Sequence, residues 1–230
     1  MCFSATASFT AGAALLIIGT VTVRRARRRV ELPFALVPVL FGVQQLIEGA
    51  IWLTFPDRAP LLNGILTIVY SLFSHVLWPV YVPIAILLLE PVLWRRRVLM
   101  GIALAGAAVG LYLLYFIVSL PIVSQVQGLH IVYLSPHFYI VDVMLLYVFG
   151  TCVSMLFSSH PKVRLFGVAA FAAFVVAYIF FAVWLISVWC FFAAALSVIV
   201  VLYFPRRPPD PSERLPILRQ AQRLDDGVAD

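Results

Sequence analysis

The chain has 230 residues, of which 63% are hydrophobic and only 11% are charged. In soluble domains about one quarter of the residues are charged. This composition, with a mean hydropathy of +1.05, therefore excludes an ordinary soluble domain. The formal net charge of +6 does not indicate a nucleic-acid partner, because the basic residues stand in short clusters between apolar runs. The composition therefore predicts a protein whose main partner is the lipid bilayer.

Apolar runs, taken in chain order, predict seven transmembrane helices. The predicted spans cover approximately residues 3–23, 32–55, 62–90, 98–120, 136–157, 165–182 and 187–204. The stretch 165–204 carries no charge and is long enough for two helices, so we place a turn near 183–187. The predicted fold is an all-α seven-helix bundle of one domain, 1–204, followed by a hydrophilic tail, 205–230, that we expect to be disordered.

The positions of the basic residues predict how the chain is oriented. The first apolar run precedes its arginine cluster, which is the reverse of the order in a secretory signal peptide, so we expect an uncleaved anchor. Of the sixteen Lys and Arg residues, only Arg58 falls in a loop on the predicted outer side. The positive-inside rule then places the N-terminus outside and the C-terminus in the cytoplasm, and we expect the protein in the inner (plasma) membrane of the cell.

Polar residues inside the predicted spans are the main functional signal, because an ionisable group in hydrocarbon costs at least ~2.5 kcal/mol. The candidate site residues are Gln44, Gln45, Glu48, Ser71, His75, Trp78, Tyr139 and Asp142. Ser71 and His75 continue a stripe with a spacing of four that begins at Asn63. Because the titratable members all lie in the outer half of the bilayer, we predict one outward-facing polar cavity. It would bind a small molecule, a proton or an ion for sensing or transport.

Two alternatives to this prediction belong to different functional classes. Carboxylate and imidazole groups also suit a transition metal such as zinc, which would make the protein a membrane hydrolase. The candidate metal ligands are Glu48, His75 and Asp142, with His137 or Cys2 as a further ligand. Alternatively, the polar residues only hold helices together in a structural or assembly protein. Retinal is excluded, because the single lysine, Lys162, lies in a loop. The ligand, any enzymatic activity and the oligomeric state stay open.

Small residues predict where helices approach one another closely. Gly106 and Gly110 form a GxxxG pair in the fourth span, and Ser4, Ser8 and Gly12 repeat at the same spacing in the first. In lipid, such stripes are typical of tight helix–helix contacts.

Three segments of the sequence carry a resemblance to a known family. They are the opening MCFSATASF, then RRRVELPFALVPVLFGVQQLIEGAIW, then SHVLWPVYVPIAILLLEP. Over roughly the first 95 residues the chain resembles an uncharacterised bacterial family of multi-pass membrane proteins whose members begin Met-Cys-Phe-Ser-Ala. The resemblance implies no activity. The residues that fall within its recognisable segments are Cys2, Ser4, Gln44, Gln45, Glu48, His75, Trp78 and Pro79.

Overall fold

The computed structural model describes residues 4–55 and 58–204. In chain order its apolar helices are α1 (Ala5–Arg25), α2 (Arg29–Leu53), α3 (Pro60–Leu89), α4 (Leu93–Ser119), α5 (Val141–Leu156), α6 (Pro161–Phe180) and α7 (Ala182–Tyr203). All of these except α5 are long and apolar enough to cross a membrane. Cys2 and the tail from 205 onward lie outside the described residues. Within the described part, the predicted mostly helical, multi-pass architecture is confirmed.

Side-chain caps and prolines set where several helices begin. The hydroxyl of Ser4 accepts a hydrogen bond from the backbone N–H of Ala7, so Ser4 is the N-cap of α1 and not a packing residue. Proline occupies one of the first two positions of a helical segment at Pro60 and Pro161. Its missing N–H costs nothing there, because the first turn has no intrahelical acceptor for that group.

Helix α5 differs from its neighbours in length. At about 1.5 Å per residue, it is roughly 24 Å long, which is shorter than the ~30 Å hydrocarbon layer. A 3₁₀ turn at Pro136–Tyr139 precedes it, and a π-helical segment, Phe149–Val153, lies within it. The break between α6 and α7 falls at Phe181, which is earlier than the predicted turn at 183–187.

A β-hairpin lies between α4 and α5, in a stretch for which the sequence analysis predicted no span and no strand. Strands β1 (Val123–Gln127) and β2 (His130–Leu134) pair antiparallel. The two-residue turn contains Gly128 at φ +67°, a conformation that glycine adopts without steric cost. The all-α prediction therefore needs this one correction.

The helices run alternately up and down, so the basic clusters meet at one end of the bundle. At this "basic end", the Arg25 guanidinium donates to the Phe204 carbonyl at 3.5 Å. There the Arg95 guanidinium also donates to the Phe157 carbonyl at 3.3 Å. The hairpin lies at the opposite "hairpin end", where Ser124 contacts α3.

Helices α1 and α2 pack closely through glycines. A Cβ atom added at Gly12 would lie 3.0 Å from the Gly42 carbonyl oxygen, and one added at Gly42 would lie 3.1 Å from the Gly12 carbonyl oxygen. Ser8 and Gly12 are buried. The predicted packing role of these two residues is confirmed.

Helix α4 packs equally closely on α3 at a backbone carbonyl that proline leaves unbonded. Pro83 has no N–H, so it cannot bond the carbonyl of Pro79 four residues earlier. A Cβ atom added at Gly106 would overlap that oxygen. A Cβ atom added at Gly110 would lie 2.8 Å from the Val80 side chain. The predicted role of the glycine pair in helix packing is confirmed.

The outer faces of the helices carry large apolar side chains. Among the most exposed are Ile17, Leu104, Leu111, Val118, Val168 and Ile179. Lipid chains solvate such a surface, whereas a soluble monomer rarely exposes so much contiguous apolar area. The exposed faces therefore agree with a protein that crosses a membrane several times.

Candidate functional site

Glu48 lies at the centre of a cluster of polar side chains inside the bundle. We define this "polar core" as Gln44, Gln45 and Glu48 of α2, Tyr70 of α3 and Ser187 of α7. The Ser187 hydroxyl donates to Glu48 Oε1 at 2.6 Å. The side chains of Gln45 and Tyr70 also lie beside Glu48. All five residues are fully or almost fully buried, so three helices bring their polar groups together out of contact with solvent.

Gln44 connects the polar core to aromatic packing. The indole N–H of Trp78 donates to Gln44 Oε1 at 2.7 Å, and the Trp78 ring stacks on Phe41 with centroids 3.9 Å apart. The thiol of Cys190 lies beside Gln44 and Tyr70. A small, almost entirely apolar cavity of about 40 Å³ adjoins this region, and Trp78 and Cys190 are among its lining residues.

Several buried polar atoms of α2 make no hydrogen bond of good geometry among the described residues, although the Gln45 amide lies beside the Glu48 carboxyl and the Gln44 amide beside the Cys190 thiol. They are the Gln44 Nε2, both amide atoms of Gln45 and the Glu48 Oε2. Leaving a buried polar atom unpaired costs about 1–3 kcal/mol. Native proteins satisfy such groups with ordered water or a ligand. Gln45 Oε1 and Glu48 Oε2 can therefore accept a further donor or face a positive charge, while the two Nε2 groups can donate to water or another acceptor.

His75 lies in a separate environment on α3. Its Nδ1 is 2.7 Å from the Ser74 hydroxyl, and its ring meets the edge of Phe138 at 5.0 Å. The Tyr147 hydroxyl donates to the Ser74 carbonyl. Within the part of the chain described, His75 Nε2 has no hydrogen-bond partner. This histidine is part of a π-helical segment, Leu72–Leu77, a distortion that is frequent at functional sites.

The hairpin covers the polar stripe of α3. Ser124 of β1 lies 2.7 Å from the Thr67 hydroxyl and 3.1 Å from Asn63 Oδ1. Tyr133 of β2 stacks on Tyr70, with ring centroids 4.3 Å apart. The part of the stripe nearest the hairpin end, Asn63 and Thr67, thus anchors the hairpin. A groove of about 800 Å³ at the hairpin end is lined by Asn63 and Ser124 among others.

The predicted site residues therefore fall into three groups: the polar core with Trp78, two buried residues of α3, and a set nearer the surface. Gln44, Gln45 and Glu48 are in the polar core, and Trp78 bonds to it. Ser71 and His75 are buried on α3, and the Ser71 hydroxyl has no partner within the described residues. All of these residues are buried, and none of them lines the groove at the hairpin end.

The other candidates lie towards the surface. Asp142 is exposed in the first turn of α5, where the helix dipole favours a negative charge. His137 stacks on Phe116 at 3.6 Å, and Tyr139 meets the edge of Phe138. Throughout the described ranges, no group of three or more His, Cys, Asp or Glu side chains is placed to hold a metal ion. Glu48, His75 and Asp142 are thus not brought into one such group.

Tyr70, Ser187 and Cys190 were not identified as site residues from the sequence. Each stands in an apolar run without a charged neighbour. Only the packing of α3 and α7 against α2 reveals their role, and no periodic pattern within one helix indicates it.

The fold and the polar core define a multi-pass helical membrane protein with a carboxyl group buried between its helices. The chain belongs to a family of unknown function, DUF6629, whose model matches residues 1–214. The match extends well beyond the segments that carried the resemblance and confirms that the family is uncharacterised. Neither a curated protein nor a solved structure matches the chain.

Proposed function

We propose that the protein crosses a bacterial inner membrane seven times, with its N-terminus outside and its C-terminus in the cytoplasm. The convergence of the arginine clusters at one end of the bundle supports this topology. The short helix α5 would be the seventh span, because it runs between the hairpin and the basic end.

Fusing a reporter after Phe204 and labelling a Leu129→Cys variant with an impermeant thiol reagent tests this topology, because Leu129 is exposed in the hairpin turn. The unchanged protein is the control, because it reports any labelling of the native cysteines. We expect the additional label to be taken up from the outer side and the reporter to be active in the cytoplasm. Additional labelling from the cytoplasmic side only would contradict the proposal.

We further propose that the polar core binds a proton or a small cation from solution, and that the protein acts in transport or sensing. The observation that supports this is the burial of Glu48 without a cationic side chain beside it. No Lys, Arg or His side chain in the described residues forms an ion pair with Glu48. An ionised carboxyl inside a membrane is strongly unfavourable unless a positive charge accompanies it. A proton or a bound cation supplies that charge.

The amides and hydroxyls around Glu48 suit such a ligand. Amide and hydroxyl oxygens, together with a carboxylate, are the donor set of hard cations. The same groups stabilise a protonated carboxyl by hydrogen bonding. A catalytic metal site receives less support, since His75 and Asp142 do not join Glu48 in one ligand group. A purely structural role is the remaining alternative, and the experiment below separates it from the proposal.

Infrared difference spectroscopy of the protein in nanodiscs tests the proposal. We expect a carboxylic-acid C=O band that disappears in Glu48→Gln, and that in the wild type changes with pH or when Na⁺ or K⁺ replaces a bulky organic cation. The Asp142→Asn variant is the matched control, because it removes a carboxyl from an exposed position and should keep the band. A Glu48 band that responds neither to pH nor to cations would assign the group a structural role.

A further inference from the structure

Two adjoining depressions lie at the basic end of the bundle, away from the polar core. Their volumes are about 220 Å³ and about 310 Å³, and both are lined by Glu31, His160 and Tyr203. Arg28 and Arg96 line the first, and the second contains the arginines at the end of α1. We define the two depressions together as the "basic pocket". It joins the ends of α1, α2, α3 and α7.

The charge of this region is strongly positive. The helix ends and connections at the basic end contain ten Lys and Arg residues and two carboxylates, Glu31 and Glu90. Both carboxylates are engaged by neutral donors. Glu31 Oε2 accepts from the backbone N–H groups of Arg27 and Arg28 at 2.8 and 3.2 Å. Glu90 accepts from the backbone N–H and the hydroxyl of Ser159, both at 2.6 Å. The carboxylates therefore shape the loops, while the side chains of Arg28 and Arg96 stay exposed.

The floor of the basic pocket is fixed by contacts between helices. His160 Nε2 lies 3.3 Å from the Leu89 carbonyl oxygen, and the His160 ring meets the edge of Tyr203 at 5.2 Å. The Glu90–Ser159 hydrogen bonds hold the loop before α6 against the end of α3. Guanidinium groups at the rim of the basic pocket thus surround a floor that is already ordered. This order reduces the entropic cost of binding a ligand there.

The surroundings of the basic pocket place it at the edge of the bilayer. Leu88 of α3 is partly exposed beside it, and Leu93 and Trp94 at the start of α4 are largely exposed. Exposed tryptophan next to arginine is typical of the membrane–water boundary. A ligand in the pocket would therefore have its polar group among guanidiniums and apolar chains alongside it.

We propose that the basic pocket binds the phosphate-containing headgroup of an anionic phospholipid. Guanidinium groups bind phosphate oxygens in paired, charge-assisted hydrogen bonds. Basic pockets between membrane helices recognise anionic headgroups by the same chemistry. The exposed apolar residues at the rim favour a lipid as the source of the phosphate over a free phosphate ion.

The test uses the full chain in a neutral detergent and measures binding through the shift of the thermal unfolding midpoint. The probes are phosphatidylglycerol, phosphatidylcholine and inorganic phosphate. Two double variants are compared. The pocket double variant combines Arg28→Gln and Arg96→Gln, and the control double variant combines Arg29→Gln and Arg97→Gln. Both remove two positive charges from the same two stretches of the chain, 28–29 and 96–97, but Arg29 and Arg97 do not line the pocket. Diffuse attraction to an anionic surface would weaken equally in both.

We expect phosphatidylglycerol to raise the midpoint of the wild type far more than the other two probes. The apparent affinity for phosphatidylglycerol should fall roughly tenfold or more in the variant that lacks Arg28 and Arg96, because each basic residue near the membrane surface contributes about 1 kcal/mol to binding. The affinity should fall by much less in the variant that lacks Arg29 and Arg97. Equal losses in the two double variants would overturn the proposal. A response to inorganic phosphate as large as that to phosphatidylglycerol would overturn the assignment to a lipid.

Discussion

Gly106 fixes how closely α4 can approach α3. The carbonyl oxygen of Pro79 points at the position that a Cβ atom would occupy, well inside contact distance. Because that oxygen belongs to the backbone, it cannot move aside as the end of a flexible side chain could. Gly101 is on the same helix one turn and a fraction earlier, and a Cβ atom there would meet no atom within 4 Å. The two glycines therefore make a matched pair.

Gly106→Ala should reduce the free energy of unfolding by about 3 kcal/mol, at the upper end of the usual cost of overpacking. Gly101→Ala should leave it unchanged or raise it by up to about 1 kcal/mol, because alanine has the higher helix propensity. Unfolding by a denaturing detergent in mixed micelles, followed by tryptophan fluorescence, measures both. Similar values for the two variants would show that the close approach at Pro79 is not a constraint.

Glu90 is a second residue whose local contacts predict a measurable effect. Burial alone would raise the pKa of its carboxyl, but hydrogen bonds from Ser159 and Val92 and the nearby charge of Arg95 bring that pKa below its usual value. The ionised form is therefore favoured by folding. Its contribution to stability is present above the pKa of the unfolded state and is lost as pH falls through the lowered pKa of the folded state.

Glu90→Gln should lower the free energy of unfolding at neutral pH by about 2 kcal/mol, because hydrogen bonds to a charged group are worth about 1.5–3 kcal/mol. It should also flatten the decline of stability on acidification. Unfolding measured across the acidic range in the wild type and in the variant tests both effects. Asp142→Asn is the control, because it removes an exposed carboxyl that lacks the Ser159 contacts. If Glu90→Gln keeps the wild-type slope, the Ser159 contacts are not linked to ionisation.

At the scale of elements, the hairpin is held to α3 by few groups. The Ser124 hydroxyl contacts Thr67 and Asn63, and the amide of Asn63 donates to Thr54 at 2.8 Å. Removing the Ser124 hydroxyl leaves the buried Thr67 hydroxyl and the half-buried Asn63 amide with one hydrogen-bond partner fewer each. Gln127 is on the same strand with its side chain exposed, so it offers a comparison without these contacts.

Ser124→Ala should lower the free energy of unfolding by about 1–2 kcal/mol, the cost of leaving buried partners unsatisfied. It should also accelerate amide exchange across 123–134. Gln127→Ala should change neither by a measurable amount. Hydrogen exchange followed by mass spectrometry resolves the hairpin peptides. Unchanged exchange in Ser124→Ala would mean that the ring stacking of Tyr133 on Tyr70 is sufficient to hold the hairpin.

Long apolar helices were predictable from sequence because each needs only its own run of residues in order to be recognised. The hairpin was not, since a five-residue strand between two apolar spans gives a weak periodic signal and its pairing depends on docking to α3. The π-helical segment around His75 carries no local signature either. The burial of Glu48 followed from its place in an apolar run, but its partner Ser187 is 139 residues away. Long-range contacts of this kind are set by how helices pack.

At the scale of the whole molecule, the polar core lowers the free energy of unfolding. A helical bundle with a purely structural role would have no reason to keep such a core. Apolar residues would fill the space around Glu48 without unpaired amides or a buried carboxyl. Natural proteins keep such unfavourable groups where a function depends on them. If the core binds a cation or proton, removing the carboxyl should relieve the unfavourable burial and abolish the response to the ligand together.

Glu48→Gln should therefore match or exceed the wild type in free energy of unfolding, by about 1 kcal/mol, when only a bulky organic cation is present. The Ser187 hydroxyl can still donate to the glutamine carbonyl, whereas Ser187→Ala should destabilise the protein by about 1 kcal/mol through the lost hydrogen bond. If the ligand is a metal cation, adding Na⁺ or K⁺ should stabilise the wild type and leave Glu48→Gln unchanged, because only a carboxylate attracts the cation. A Glu48→Gln protein that is less stable than the wild type in every buffer would show that the carboxyl is a structural group.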